Sequence, residues 1–123
     1  MKKLLSIAML AVALNCGAAW AHGDGKGRHG GLVQMAGEVK FELVAKGDTA
    51  ELYLDDHGTT MPTAKLAGKL TVLSGSAKSE TKLEPASGDK LVAKGVKLAK
   101  GDKVIALVTM EDKSTSSARF VIK

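Results

Sequence analysis

Apolar residues in this chain recur at every second position in short runs, and turn-forming residues break those runs at spacings of about ten residues. The stretch from Ala50 to Pro62 shows the pattern most clearly. Ala50, Leu52 and Leu54 fall on one face of an extended segment, Glu51, Tyr53 and Asp55 on the other, and Asp55-Asp56-His57-Gly58 turns the chain before Pro62. Similar runs occupy Leu32 to Ala36, Glu38 to Val44, Ala67 to Leu73, Lys78 to Leu83, Lys90 to Lys94, Lys103 to Met110 and Ala118 to Ile122. The apolar run that starts at Lys103 reads as a strand buried on both faces. Only Thr63 to Leu70 carries apolar residues at a spacing that a turn or two of helix would also satisfy, and Gly68, Thr71 and Val72 favour extension there. A chain built this way is all-β: an immunoglobulin-like β-sandwich of about seven strands, with a small β-barrel as the alternative.

Residues 1–21 have the composition of an export signal rather than of a fold. Lys2 and Lys3 precede the apolar run Leu4 to Leu14, and Ala19-Trp20-Ala21 offers small residues where a signal peptidase requires them. The run is too short for a lasting membrane span. Cleavage after Ala21 makes a periplasmic protein that starts at His22. A lipoprotein cut before Cys16 is disfavoured, because Asn15 stands where a small residue is needed. The expected organisation is therefore a signal peptide over 1–21, a flexible glycine- and histidine-rich arm over 22–31, and one β-domain over 32–123.

The exported part contains no cysteine, which excludes disulfides, thiolate metal sites and cysteine nucleophiles together. Losing Lys2 and Lys3 lowers the formal net charge of +5 by two, and the remaining lysines are spread as solvated faces and guarded strand edges. With one Trp, one Tyr and two Phe in the whole chain there is no platform for stacking nucleic-acid bases. No Gly-x-Ser-x-Gly elbow is present, and the neighbours Asp55 and Asp56 point to opposite faces of a strand. The chain does not read as an enzyme.

What remains is metal chemistry. Imidazole suits divalent copper and zinc and thioether suits monovalent copper, so His22, His29 and His57, with Met61 and Asp56, form the candidate ligand set and copper is the first cation expected, with silver or zinc in its place. A terminal His22 would chelate through its amine and ring together. Neutral imidazole is the ligand, so binding should weaken as pH falls towards about 6.5. Met35 and Met110 are read as fillers of core gaps.

The segments His29-Gly30-Gly31, Phe41-Glu42-Leu43-Val44 and Leu52-Tyr53-Leu54 followed by Asp56-His57-Gly58 resemble a family of small exported proteobacterial proteins that accompany heavy-metal efflux pumps, and modules of their periplasmic adaptor subunits. Leu70-Thr71-Val72-Leu73, Leu83 with Pro85, and Ala118-Arg119-Phe120 continue the resemblance. It implies periplasmic handling of copper, silver or a related cation, with His29 and His57 as the residues that carry over and an efflux-pump adaptor as partner. Exported copper-resistance sandwich proteins that also begin with His share the size and terminal residue, but their Met-rich loop has no counterpart here. The competing expectation is a metal-free structural or adaptor β-domain that binds a partner protein by strand addition.

Overall fold

The computed structural model describes residues 27–123, and all of its regular elements are strands. The signal-peptide expectation and His22 lie outside the described residues. In chain order the strands are β1 (Leu32–Ala36), β2 (Val39–Lys46), β3 (Thr49–Asp56), β4 (Thr59–Thr60), β5 (Ala67–Ser74), β6 (Ala77–Ala86), β7 (Lys90–Lys94), β8 (Lys103–Thr109) and β9 (Thr115–Val121). They form one antiparallel sheet in the order β1-β2-β3-β7-β6-β5-β8-β9, with β4 paired to β3. β1 and β9, the two ends of that order, lie alongside each other, so the sheet closes nearly into a barrel. The all-β expectation holds. Of the two architectures that the sequence allowed, the barrel form describes the sheet.

β6 explains why there is one sheet and not two. Its first part pairs with β5, from Ala77 opposite Ser74 to Leu83 opposite Gly68, and its last residues Glu84, Pro85 and Ala86 pair with β7. The strand therefore runs on to Ala86, past Leu83 where the alternating run read from sequence ends. β5 has already ended at that register, so proline sits where one edge of β6 is unpaired. Gly68 sits at this corner. A side chain on it would press on the Leu107 carbonyl oxygen at 2.7 Å and on Leu83 at 3.1 Å, so the close approach of β5 to its neighbours needs glycine.

The core follows the alternation. Phe41 and Leu43 from β2, Leu52 and Leu54 from β3, Leu70 from β5, Leu83 from β6, Leu91 from β7, Val104 and Val108 from β8, and Phe120 from β9 are all buried. Each fully buried side chain of this kind contributes roughly 1.5–3 kcal/mol. β8 is not covered on both faces as its sequence suggested. Val104, Ala106 and Val108 are buried, whereas Ile105 and Leu107 are half-exposed, because the sheet has a single interior and, among the described residues, no second layer packs outside β8. The 62–66 segment is a connection with no helix, and β5 is extended from Ala67. Among the described residues no helix is long and apolar enough to cross a membrane.

Candidate functional site

The outer face of β2 and β3 should by alternation be solvated, yet Glu42 and Glu51 on it are buried, with 4% and 7% of their surfaces exposed. Two different structures cover them. Over Glu42 lies the described end of the glycine-rich arm. Glu42 Oε2 accepts hydrogen bonds from the amides of His29 and Gly31, both at 2.8 Å, and Oε1 lies 2.9 Å from His29 Nδ1. The arm was expected to be flexible, and residues 27–31 are instead tied to the sheet. Glycine makes this contact possible: a side chain at Gly31 would run into the Leu43 carbonyl oxygen and Val44, and one at Gly27 into the Glu42 carboxyl group.

Burial alone would raise the Glu42 pKa. The hydrogen bonds from the His29 side chain and from the Gly31 and His29 amides outweigh it, and the carboxyl is held below its ordinary value of 4.5. It is therefore ionised at neutral pH and can only accept hydrogen bonds. The proton between Glu42 and His29 accordingly sits on Nδ1, and in the neutral ring Nε2 keeps its lone pair. The His29 ring stacks on Tyr53, centroids 3.6 Å apart and planes inclined by 10°. Its orientation is thus fixed from two sides.

Tyr53 extends the network. Its hydroxyl donates to Glu51 Oε1 at 3.0 Å, and Lys90 Nζ donates to Glu51 Oε2 at 2.9 Å. The Lys90 hydrogen bond is the main reason that Glu51 is held below 4.5, with burial opposing it and Tyr53 assisting. Lys90 is raised in turn by Glu51. Burial, then the bond to Glu51, raises Tyr53 above 10.0, so the phenol stays protonated.

Arg28 joins the arm to the β3–β4 turn. Its guanidinium donates to the Gly58 carbonyl at 2.7 Å and to Thr60 Oγ1 at 3.3 Å, and lies 3.2 Å from Asp55 Oδ2. The other oxygen, Asp55 Oδ1, is buried with no hydrogen-bond partner among the described residues. Asp55 borders a cavity of about 100 Å³ whose lining includes His29, Glu42, Tyr53 and Asp89. At about 30 Å³ per water that space takes about three waters.

The sequence-derived ligands distribute as follows. His29 is in this cavity. His57 occupies the tip of the two-residue turn between Asp56 and Thr59, with φ of 54° beside Gly58 at 88°, which is the left-handed geometry of a type I′ hairpin. Its ring is exposed, with Nδ1 3.1 Å from Asp56 Oδ1 and Nε2 3.2 Å from Glu38 Oε1, so both nitrogens already face carboxylates. Met61 lies elsewhere, lining an apolar mouth of about 680 Å³ with Val39, Leu66 and Met110. Arg28 thus brings the arm and the turn together, while the rings of His29 and His57 serve separate carboxylates. Among the described residues no three His, Cys, Asp or Glu side chains are gathered as a set that could hold a metal ion.

Arg28, Glu42 and Tyr53 were not among the candidates read from sequence. A period-two pattern places Glu42, Tyr53 and Asp55 on one outward row, and only knowledge that the arm folds back would have marked that row as covered.

Fold and site define a small, nearly closed antiparallel barrel whose N-terminal arm presents a carboxylate-oriented histidine beside an orphaned aspartate oxygen. No protein-family model, curated protein or solved structure matches the chain.

Proposed function

We propose that this is a periplasmic protein that binds a soft or borderline cation, copper first with silver or zinc as alternatives, and buffers it or hands it to a heavy-metal efflux partner. The observation that carries this reading is the Glu42–His29 pair. A buried carboxylate bonded to one ring nitrogen, leaving the other free, is the outer-sphere arrangement that orients and strengthens histidine ligands. Tyr53 stacking adds rigidity, and Asp55, which borders the same cavity, offers a carboxylate as a second donor.

Two described donors do not fill a coordination sphere, so further ligands come from solvent, from the partner or from the start of the exported chain. His22 is seven residues before His29, within roughly 25 Å of extended chain. A half-open sphere suits transfer by ligand exchange, since an incoming donor needs to displace only water. His57, with Asp56 and Glu38, is a second and looser place for the same cation on the exposed turn.

The test is a titration of the purified protein with Cu(II) and with Zn(II), followed by native mass spectrometry and by the His29 and His57 ring signals in NMR. One bound ion is expected, and His29→Ala should weaken it at least tenfold while His57→Ala changes it less. A protein that stays metal-free in both titrations, or a His29→Ala variant that binds as well as the parent, refutes the reading.

A further inference from the structure

The two ends of the barrel are finished differently. At the end where β2 turns into β3 and β8 begins, the connection over 95–102 closes the interior. Val96 is buried with its amide bonded to the Asp48 carbonyl at 2.9 Å, and Leu98 packs on the core. The amide of Gly101 donates to the Ile122 carbonyl and that of Ile122 to the Asp102 carbonyl, so this plug is tied to β9 as well.

At the opposite end no segment crosses the opening among the described residues. The connection over 61–66 keeps to one side, because Thr63 is buried with its amide bonded to the Gly88 carbonyl and its hydroxyl to that of Lys90. The turn over 110–114 forms the other side, held by bonds from the Met110 amide to the Ser114 carbonyl and from the Lys113 amide to the Met110 carbonyl. Between them lies the mouth of about 680 Å³. Leu66 is buried in its wall, and Val39, Met61 and Met110 are half-buried and packed against the core. Small-molecule sites are commonly about 300–1,000 Å³, largely apolar, and found in the mouths of β-barrels. A closed sheet of about eight strands is just wide enough to hold one small ligand. Thioethers adapt to irregular shapes and make favourable contacts with aromatic rings.

Charges at the rim answer one another. Lys65 Nζ lies 3.5 Å from Glu111 Oε2 across the opening. Asp112 Oδ1 accepts from the hydroxyl and amide of Ser114 at 2.6 and 3.0 Å, which hold its carboxyl below the ordinary value of 3.8. An anionic ligand would have to break the Lys65–Glu111 pair and would face Asp112. A cationic one would meet Lys65 and Lys113, which balance the two carboxylates of the same rim. Glu38 and Asp56, the chain neighbour and the strand partner of Val39, face the His57 ring outside the mouth.

We infer that the open end of the barrel is a binding site for one small uncharged apolar molecule bearing an aromatic ring, held against Val39, Met61, Leu66 and Met110 beneath the Lys65–Glu111 pair. It is independent of cation binding, since His29 borders a different cavity.

The probe is phenylnaphthylamine, uncharged at neutral pH and fluorescent when desolvated, compared with anilinonaphthalene sulfonate, which carries the same rings and a negative charge. Saturable binding of one phenylnaphthylamine should shift the methyl signals of Met61 and Met110 and leave that of Met35 in place, and the sulfonate should bind at least about tenfold more weakly. Met61→Gln with Met110→Gln keeps side-chain length but lines the mouth with amides, and should weaken the neutral probe at least about tenfold. Val121→Gln, an exposed position opposite Lys103 at the plugged end, should not change it. Absence of saturable binding, a sulfonate that binds equally well, or shifts confined to residues outside the mouth overturns the inference. So does a double variant that keeps the amide protection of β3 and β8 and binds within about threefold of the parent. Should the double variant lose that protection, the methyl shifts of the parent protein decide alone.

Discussion

Replacing Glu42 with Gln tests the arm latch and the candidate site in one step. The three contacts to the Glu42 oxygens, at 2.8, 2.8 and 2.9 Å, are charge-assisted in the parent protein. Such bonds are worth about 1.5–3 kcal/mol, against about 0.5–1.5 kcal/mol for neutral ones. The His29 side chain is 40% exposed, so its contact is discounted for solvent screening. Converting two buried charge-assisted bonds and one screened one to neutral bonds then costs about 2–3 kcal/mol of docking free energy, roughly a 30- to 150-fold rise in the open population. Glutamine also offers an NH₂ group where Oε1 accepted. That donor requires an acceptor on Nδ1, so the ring proton moves to Nε2 and the free lone pair is lost. Amide hydrogen exchange at residues 29 and 31 should accelerate by that factor while the amides of β3 and β8 keep their protection, and ¹⁵N shifts of the His29 ring should report the tautomer change. Exchange of the two amides within threefold of the parent, or loss of protection throughout the barrel, would refute the reasoning.

Two further outcomes are expected. Gly31→Ala should displace the arm even with Glu42 intact, because its added methyl meets the Leu43 carbonyl and Val44 Cγ2, the first of them backbone that cannot swing aside; rapid exchange of the His29 amide with β3 still protected is the expected signature. Acid should open the same face: Glu42 and Glu51 both have folded pKa values below 4.5, so their contribution is complete above that pH and is lost as pH falls through the folded values. Melting temperature should accordingly hold down to about pH 4.5 and fall below it, and a Glu42→Gln, Glu51→Gln variant should show a shallower fall in that window.

The strands were largely legible because each carries its own alternation. Leu32 to Ala36 and Lys90 to Lys94 coincide with β1 and β7, and the rows of Phe41, Leu52 and Leu54 form the core that period two assigns to them. The failures share one physical cause, which is a partner distant in sequence. Pro85 stays within β6 because of where β5 stops, and Ile105 and Leu107 are half-exposed because no described residues pack outside β8. At the site, Asp56 looked like the donor beside His57, yet it is Asp55 that the Arg28 guanidinium reaches and whose second oxygen is buried. No local pattern distinguishes the two neighbours, because the distinction is made by an arm that starts more than twenty residues earlier.

That arm also resolves a tension in the ligand chemistry. A histidine on a mobile glycine-rich segment would lose much of its conformational freedom on binding a cation, and that ordering opposes affinity. Here Glu42 and Tyr53 order residues 27–31 before any ligand arrives, so that loss has already been offset by the folding of the barrel. The same contacts choose which nitrogen is offered, since Nδ1 is committed to Glu42 and Nε2 is not. His57 has no such arrangement. Both of its nitrogens face carboxylates on an exposed turn, and coordination through either one breaks a contact first. Under the proposed function the two histidines therefore differ in role, His29 as the preorganised ligand and His57 as an exchangeable one.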